Sequence, residues 1–360
     1  MDRRTNLPVS DSTVDDLNRV SVCDGIAWRQ VEGRAVIESM RCSSIAGYVG
    51  RVETTFVLES TSPEVPEWGL PTVVVELPRL VHPSVTRIDD PMRIHVPVTP
   101  PDGGTPRSLL LDSGSPWTIV NAETASALGV IRTGAPLVHA KPPWLPDASY
   151  WVGVLDRLRL GDAEIHGATV LVADDPSALG GEQGLIGTDV FRRFVVDVDS
   201  PAGVLRLHDP TRFRPSRGDT PIPVWGTSIG MVTVHGEVLG VDEGKIVLDT
   251  GAPLDIVVTA WQMASAHPRH NGDSVQLGVE GEVSPEYLSR IDGLWLGPFE
   301  FPAMDVFARD RDKHGNINTS GAVALVGMGL MRHLRLAFDL KNAQIHAWPG
   351  PSYYRQRWGH

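Results

Sequence analysis

The chain has 360 residues, of which 36 are glycine, 29 are proline and 21% are charged, a composition typical of a turn-rich globular protein and not of a disordered chain. Its net charge of −12 and its lack of a basic run argue against a nucleic-acid partner, because phosphate binding needs clustered Lys and Arg. No apolar stretch reaches the roughly 18 residues that a spanning helix needs, so we expect no membrane span.

Residues 1–90 predict a small β-rich module of unknown role. Strands are expected where β-branched and apolar residues cluster, at 34–37, 54–58 and 72–75. No pattern in this region indicates chemistry, so a packing or docking module and an inhibitory pro-segment both stay open. The first residues are not followed by an apolar signal segment, from which we expect a cytoplasmic protein.

Cys23 and Cys42 are the only cysteines of the chain. They allow one disulfide in an oxidising compartment or two reduced thiols, and the sequence leaves both open. Two cysteines without a Cys-x-x-Cys pattern do not provide a structural zinc site. We expect no other metal and no cofactor, and the sequence contains no His-Glu-x-x-His motif.

The next part of the chain predicts short strands around a buried centre. A half-buried strand is expected at 92–98, a turn at 101–104 and a fully buried strand that ends at Leu111. Residues 121–129 predict a short helix that ends at a glycine.

A second group of elements follows Gly187. A short helix comes first, and then a hairpin with strands at 195–198 and 204–208. Residues 209–227 are rich in Pro, Arg and Gly and are expected to connect this part of the chain to the next.

Three blocks of the chain recur in the same order, at offsets of 137, 136 and 140 residues. The paired blocks are 108–116 with 245–253, 155–165 with 291–301, and 185–194 with 325–334. This pattern predicts a tandem duplication, with lobes at 91–213 and 214–350 and a C-terminal tail at 351–360. We therefore expect an all-β protein, mainly β with short helices, whose two lobes are related by a pseudo-two-fold axis.

Each copy contains an aspartate followed by Ser or Thr and then Gly, at the end of an apolar strand. If the copies pack about a two-fold axis, Asp112 faces Asp249. Two carboxyls in one desolvated site share a proton, and aspartic proteases are a standard example of this arrangement. The ionised member can then take a proton from water while the protonated member polarises a carbonyl.

The neighbouring positions are consistent with the same chemistry. Gly114 and Gly251 allow tight turns whose backbone N–H groups approach the carboxylates, and Ser113 and Thr250 can lock the turns together by hydrogen bonds. Ser115 has a hydroxyl that can donate to the carboxylate of the first turn, whereas the second copy has an alanine there. Since such a bond lowers a pKa, we predict that the first aspartate is the more ionised member.

These motifs resemble those of the retropepsin-like aspartic proteases, particularly their bacterial and gag-polyprotein-type branch. The resemblance covers 92–349 and rests on the paired turns, each followed by an apolar-apolar-Gly segment and a short helix. It implies two tandem β-barrel lobes in one chain, arranged as in pepsin-like members. It also implies that the segments 185–187 and 325–327 cross beneath the catalytic turns and hold them.

Two features depart from the family pattern. Gly329 stands where the first copy has Asp189, which we interpret as structural drift away from the site. The Gly-rich flap is not obvious. The segments at its place, 141–151 and 277–287, contain four aromatic residues that we predict to bind substrate, with surface packing as the alternative: Trp144, Tyr150, Trp151 and Tyr287.

The sequence as a whole predicts an aspartic endopeptidase with Asp112 and Asp249 as catalytic pair, a peptide or protein substrate, and a monomeric chain with a pseudo-dimeric catalytic unit. The alternative is a catalytically silent peptide-binding or regulatory module on the same fold. An Asp-x-Asp phosphatase at 197–199 is disfavoured because the second copy lacks the first acid. A metal site formed by His267, His270 and Asp273 is disfavoured because this stretch has the composition of an exposed loop.

Overall fold

A computed structural model gives the fold and describes residues 11–14, 20–31, 34–45, 51–57, 80–136, 150–225, 231–259, 269–270, 286–309 and 322–358. Contacts divide the chain into two compact units, residues 1–74 with 226–229, and residues 75–225 with 230–360. Within the described ranges, no helix is long and apolar enough to span a membrane.

The first unit contains a four-stranded antiparallel sheet in chain order. Its strands are β1 (Asp11–Val14), β2 (Val20–Val31), β3 (Arg34–Ile45) and β4 (Arg51–Val57). Two of the three predicted strands are confirmed as parts of β3 and β4, and the third, at 72–75, lies outside the described residues. The β2–β3 register places Cys23 opposite Cys42.

The second unit contains two barrels, and the first barrel begins after an outlying strand. The elements up to its second helix are β5 (Ser84–Arg87), β6 (His95–Val98), β7 (Arg107–Leu111), β8 (Ile119–Asn121), α1 (Ala122–Leu128), β9 (Ile131–Pro136), β10 (Tyr150–Leu160), β11 (Ala163–Ala173), β12 (Gly184–Ile186) and α2 (Thr188–Phe191). The predicted helix at 121–129 is confirmed: the Asn121 side chain caps α1 by accepting from the Thr124 N–H, and Gly129 ends it with a φ of 72°.

The rest of the chain forms the second barrel and the strands that flank it. Its elements are β13 (Val195–Asp199), β14 (Val204–His208), β15 (Thr220–Trp225), β16 (Thr233–Leu239), β17 (Asp242–Asp249), β18 (Ile256–Thr259), β19 (Arg269–His270), β20 (Glu286–Leu296), β21 (Phe299–Arg309), β22 (Ala324–Gly327), α3 (Met328–Met331), β23 (Leu334–Asp339), β24 (Gln344–Pro349) and α4 (Pro351–Trp358).

Each barrel is closed by six strands in the same order. The first barrel runs β11-β8-β12-β7-β6-β10 and the second runs β21-β18-β22-β17-β16-β20, with the last strand of each order pairing with the first. In both barrels the aspartate-bearing strand pairs in parallel with the strand before the short helix. Since closure removes free sheet edges, each barrel is a self-contained β lobe, as the sequence predicts.

Strands from both halves of the second unit form a common sheet in the order β5-β14-β13-β23-β24-β15. Three segments form elements that the sequence did not predict. Residues 84–87, which the prediction assigned to the N-terminal module, form the edge strand of this sheet, and residues 220–225 of the predicted connection form β15. The predicted tail is helix α4, whose Tyr353 packs edge-to-face against Phe299 and Phe301.

Candidate active site

The two aspartates occupy equivalent places in the two barrels. Asp112 follows β7 and Asp249 ends β17, and the three residues before each aspartate are almost fully buried. The backbone N–H of Asp112 donates to the carbonyl of Ile186 in β12 at 2.9 Å, and Asp249 lies opposite Gly327 in the parallel register of β17 and β22. The apolar strands therefore fix both turns from below by parallel pairing.

Each turn is closed by its own glycine. The N–H of Gly114 donates to Oδ1 of Asp112, and the N–H of Gly251 donates to Oδ1 of Asp249, both at 2.8 Å. One oxygen of each carboxyl is thus held by the backbone, which fixes the plane of the carboxyl group and stabilises its ionised form.

The hydroxyl side chains of Ser113 and Thr250 lock the two turns to each other, as predicted. Thr250 Oγ1 accepts from the Ser113 N–H and donates to the Leu111 carbonyl, each at 2.9 Å. Ser113 Oγ accepts from the Thr250 N–H at 2.9 Å and donates to the Leu248 carbonyl at 2.7 Å. All four bonds are buried, so the hydroxyls satisfy backbone groups that water does not reach.

Thr250→Val is expected to destabilise the protein by about 1–3 kcal/mol, because it leaves the buried Ser113 N–H and Leu111 carbonyl without partners while preserving side-chain shape. Urea unfolding gives the free energy of unfolding, and Thr250→Ser, which keeps the hydroxyl, is the matched control. Equal stability of the Val and Ser variants would contradict this role for the hydroxyl.

The glycines also let each turn approach the opposite carboxyl. A Cβ on Gly114 would lie 2.5 Å from Oδ2 of Asp249, and a Cβ on Gly251 would lie 2.6 Å from Cγ of Asp112. No side chain fits at such distances, so glycine is required at both positions for this arrangement of the carboxyls. The two aspartates therefore face each other across the two turns.

Burial raises the pKa values of both aspartates. The pKa of Asp112 is raised well above its ordinary value by burial, by the charge of Asp249 and by the hydrogen bond between the two carboxyls. Burial also raises the pKa of Asp249, against the lowering effect of hydrogen bonds from Asp112 and from the backbone of Gly251. The pair therefore retains a proton at a pH where ordinary carboxyls have lost theirs.

The raised pKa values predict that Asp112→Asn raises the melting temperature at about pH 7. A carboxyl whose pKa is raised by folding stabilises the protein most below its unfolded pKa of about 3.9, and this contribution is lost as the pH rises through the folded value. The variant has no carboxyl at this position, so it does not lose this stability as the pH rises. The difference in melting temperature between the variant and the wild type should therefore grow from about pH 4 to about pH 7. A melting-temperature difference that does not change with pH would contradict the prediction.

The predicted role of Ser115 is wrong. Its hydroxyl donates to the Trp117 carbonyl at 2.7 Å and not to the carboxylate of Asp112. The predicted asymmetry of the pair therefore loses the hydrogen bond on which it rested. Ser115 instead stabilises the local turn, and its backbone carbonyl accepts from the Thr188 N–H at 2.8 Å.

The apolar-apolar-Gly segments hold the turns, in agreement with the sequence-based expectation. In the second barrel the Met328 N–H donates to the Ala252 carbonyl at 2.9 Å, the counterpart of the Thr188 bond in the first. A Cβ on Gly187 would collide with the backbone of Trp117, and one on Gly327 would lie 2.5 Å from the Ala252 carbonyl oxygen. Each segment therefore packs directly against the chain that follows an aspartate turn.

The exchange of Asp189 for Gly329 is not simple drift. In the first barrel the Thr118 hydroxyl donates to Asp189 at 2.9 Å. In the second barrel Asp255 stands at the position equivalent to Thr118, and its carboxylate occupies the space that a Cβ on Gly329 would need. The second barrel thus carries an acid on the facing segment, and the glycine makes room for it. Adding the offset of 137 residues to Thr118 gives Asp255, so the repeat could have identified this residue, but the prediction missed it.

The predicted substrate-binding aromatics are only partly within the described residues. Trp151 donates to Asp174 at 2.9 Å and carries the Arg132 guanidinium 5.1 Å above its ring. Tyr150 packs with Trp117 against a small apolar cluster of the first barrel. Trp144 and the side chain of Tyr287 lie outside the described residues.

The candidate metal ligands also lie largely outside the described residues. His267 and Asp273 lie outside them entirely, and only the backbone of His270, in β19, is described. Among the side chains that the structure does describe, no group of three His, Cys, Asp or Glu residues is placed to hold a metal ion. Asp197 of the disfavoured phosphatase motif is buried and paired with Arg335 and His208.

Comparison with known proteins finds a family match within the first barrel. Residues 96–190 match the family model described as Aspartyl protease. Among solved structures, the chain is similar to the aspartic proteinase from Irpex lacteus, with 13% sequence identity over 75% of this chain and 98% of that chain and a TM-score of 0.45. A search of curated proteins finds no match. The family match extends from β6 to α2 and includes the turn of Asp112.

Proposed function

We propose that this chain, whose residues 96–190 belong to the aspartyl protease family, is an aspartic endopeptidase that hydrolyses peptide bonds with a water activated by Asp112 and Asp249. The observation that carries the proposal is the mutual approach of the turns, in which each carboxyl lies against the glycine of the opposite turn. A single D-S-G or D-T-G turn is common in proteins. Two such turns locked by reciprocal hydrogen bonds have a geometry suited to holding one water between two carboxyls.

The chemistry follows from the shared proton. One carboxyl of the pair, Asp112 or Asp249, holds this proton and the other is ionised. The ionised carboxyl takes a proton from water as the water oxygen attacks the carbonyl carbon, and the protonated carboxyl gives its proton to the carbonyl oxygen. The resulting gem-diol collapses when a proton passes from the pair to the amide nitrogen and the C–N bond breaks, while one hydroxyl of the gem-diol returns its proton to the pair and becomes the carbonyl of the new carboxyl group. The pair ends with one proton, as it began.

The surroundings of the pair support this chemistry. Asp249 is only 9% exposed, while Asp112 is half-buried, so the site is dry and still reachable from one side. In such an environment fixed backbone N–H groups stabilise charge more strongly than in water. The Gly114 and Gly251 N–H groups occupy Oδ1 of each carboxyl. We therefore assign the other oxygen of each carboxyl, Oδ2, to the contacts with water and substrate.

The substrate is proposed to be a peptide or protein segment bound in extended form between the two barrels. Tyr150 and Trp151 begin the strand β10 that returns from the segment expected to act as a flap. Backbone pairing with such segments would give affinity for an added strand, and nearby aromatic side chains would select among substrate side chains. The equal strand order of the barrels also leads us to propose that the two lobes arose by duplication and that one chain suffices for activity.

Digestion of a peptide library, read by mass spectrometry between about pH 3 and pH 8, tests this function. We expect internal cleavage that is unaffected by EDTA, because the proposed nucleophile is water held by carboxyls. The same peptides should stay intact when a statine-type inhibitor, which carries a hydroxyl at the tetrahedral carbon, is added. Binding of peptides without cleavage at any pH would favour a peptide-binding module on the same fold.

A further inference from the structure

A cavity of about 460 Å³ opens on the second barrel, between β15, β16, β17 and β20. We call it the tryptophan cleft and define it by Trp225, Trp295, His235, Glu237 and Glu243. Glu237 lies opposite Glu243 on one side and opposite Trp295 on the other in the antiparallel registers, so three adjacent strands each contribute a side chain. The cleft does not include either aspartate of the candidate active site.

Two indole rings form the apolar surface of the cleft. Trp225 and Trp295 are 48% and 38% exposed, the largest values for tryptophan among the described side chains. The Trp225 and His235 rings lie 5.6 Å apart at 36°. Large aromatic surfaces left in water around one concavity are typical of binding sites and not of ordinary surface packing.

Gly236 shapes the floor between these side chains. A Cβ at this position would collide with the Trp295 carbonyl and with the Ile246 side chain. Glycine therefore lets β16 and β20 approach closely, and its backbone lies at the floor of the cleft between the flanking His235 and Glu237. The cleft is built into the sheet and does not depend on a loop.

The charge of the cleft is negative. Glu237 and Glu243 both line it, and His235 Nε2 lies 3.4 Å from Oε1 of Glu243. No lysine or arginine is among its lining residues in the described part of the chain, and Lys245, opposite His235 in register, is not one of them. An anionic ligand would meet two carboxylates, whereas a cation would meet carboxylates and the negative faces of two indoles.

We propose that the tryptophan cleft binds an organic cation, a guanidinium or alkylammonium group with an apolar stem. The charged head would lie over the indole faces and close to Glu237 and Glu243, and the stem would cover the apolar floor. The source of this group is either a free amine or an Arg or Lys side chain of a peptide. This site is separate from the proposed peptidase chemistry and does not rest on it.

Binding of agmatine and of a short arginine-containing peptide, measured by calorimetry on the full chain, tests the proposal. The Asp112→Asn variant is used as background so that the peptide is not cleaved. We expect saturable binding of at least one probe, weakened about tenfold or more by Trp295→Ala and by Glu237→Gln. Glu237→Gln changes an exposed side chain without changing its size, so it tests the site even where the tryptophan variant fails to fold. Tyr354→Ala, which removes an exposed aromatic outside the cleft, should bind normally.

The two probes separate the sources of the cation. Agmatine binding alone identifies a small-molecule site, and binding of the peptide in preference to agmatine identifies a side-chain site. Methyl glucoside serves as an uncharged ligand that stacks on tryptophan. Equal binding of methyl glucoside and agmatine, absence of binding by both cations, or binding that Glu237→Gln leaves unchanged would overturn the proposal.

Discussion

Asp112→Asn and Asp249→Asn are each expected to lower kcat for peptide hydrolysis by about 10³- to 10⁴-fold, with little change in the binding of substrate. Asparagine has nearly the same shape as aspartate, and its Oδ1 can still accept from the Gly114 or Gly251 N–H, which keeps the turns closed. It neither takes a proton from water nor shares one with the remaining carboxyl. The expected loss is therefore chemical and not structural.

The control is Asp162→Asn, which alters an exposed aspartate in the β10–β11 turn and should leave kcat unchanged. Single-turnover rates with one library-derived peptide separate chemistry from binding. The two aspartates act as a unit, so the double variant should be no slower than the slower single variant. Retention of more than about a tenth of wild-type kcat by either single variant contradicts the proposed pair.

Asp197→Asn is expected to lower the free energy of unfolding by about 3–5 kcal/mol at neutral pH, the largest stability effect that we predict. Asp197 lies on β13 with a side chain that is 0% exposed. It accepts from Arg335 on β23 through both oxygens, at 2.9 and 2.8 Å, and from His208 at 3.1 Å. Because β13 and β23 come from different halves of the unit, the variant would leave a cation without its partner in the common sheet.

The effect depends on pH in a defined direction. Burial acts to raise the pKa of Asp197, but hydrogen bonds from His208 and Arg335 outweigh it and lower the pKa. A carboxyl with a lowered folded pKa stabilises the protein above its unfolded pKa of about 3.9, and this contribution is lost as the pH falls through the folded value. The difference in the free energy of unfolding between the variant and the wild type should therefore become smaller at acidic pH.

Urea unfolding at several pH values measures this effect. Asp199→Asn is the matched control, because Asp199 lies on the same strand, is more exposed, and has longer ionic contacts, to Arg206 at 3.2 Å and Arg335 at 4.0 Å. Its Oδ1 also accepts the Ala202 N–H at 3.2 Å, a bond that asparagine can keep. Asp199→Asn should lower the free energy of unfolding by about 1 kcal/mol or less. Equal losses for the two variants, or a pH-independent loss for Asp197→Asn, would contradict the account of the buried pair.

Local patterns predicted the parts of the fold that short segments determine. The buried strand before each aspartate, the helix capped by Asn121 and Gly129, and the hairpin turns are set by neighbouring residues, so the sequence alone could identify them. The lock between Ser113 and Thr250 was also predictable, because the repeated motif placed two hydroxyls at one symmetric contact.

Contacts between distant segments could not be predicted in the same way. The pairing of β5 with β14 joins residues more than a hundred positions apart, and no local pattern distinguishes it from a strand of the N-terminal module. The direction of the Ser115 hydroxyl depends on a competing acceptor, the Trp117 carbonyl, which lies 2.7 Å from it in the folded turn. The tryptophan cleft likewise depends on sheet registers that bring Trp295 beside Glu237.

The most direct test of the central claim is a ¹³C NMR titration of the aspartate carboxyls in the wild type and in Asp249→Asn. One carboxyl of the wild-type pair is expected to keep its proton well above the ordinary aspartate pKa of about 3.9. In Asp249→Asn the pKa of Asp112 should fall, because the neighbouring charge is gone, and should stay above the ordinary value, because the site is buried. Two carboxyls that titrate independently near the ordinary value, with Asp112 unaffected by Asp249→Asn, would contradict a shared proton and with it the proposed catalytic pair.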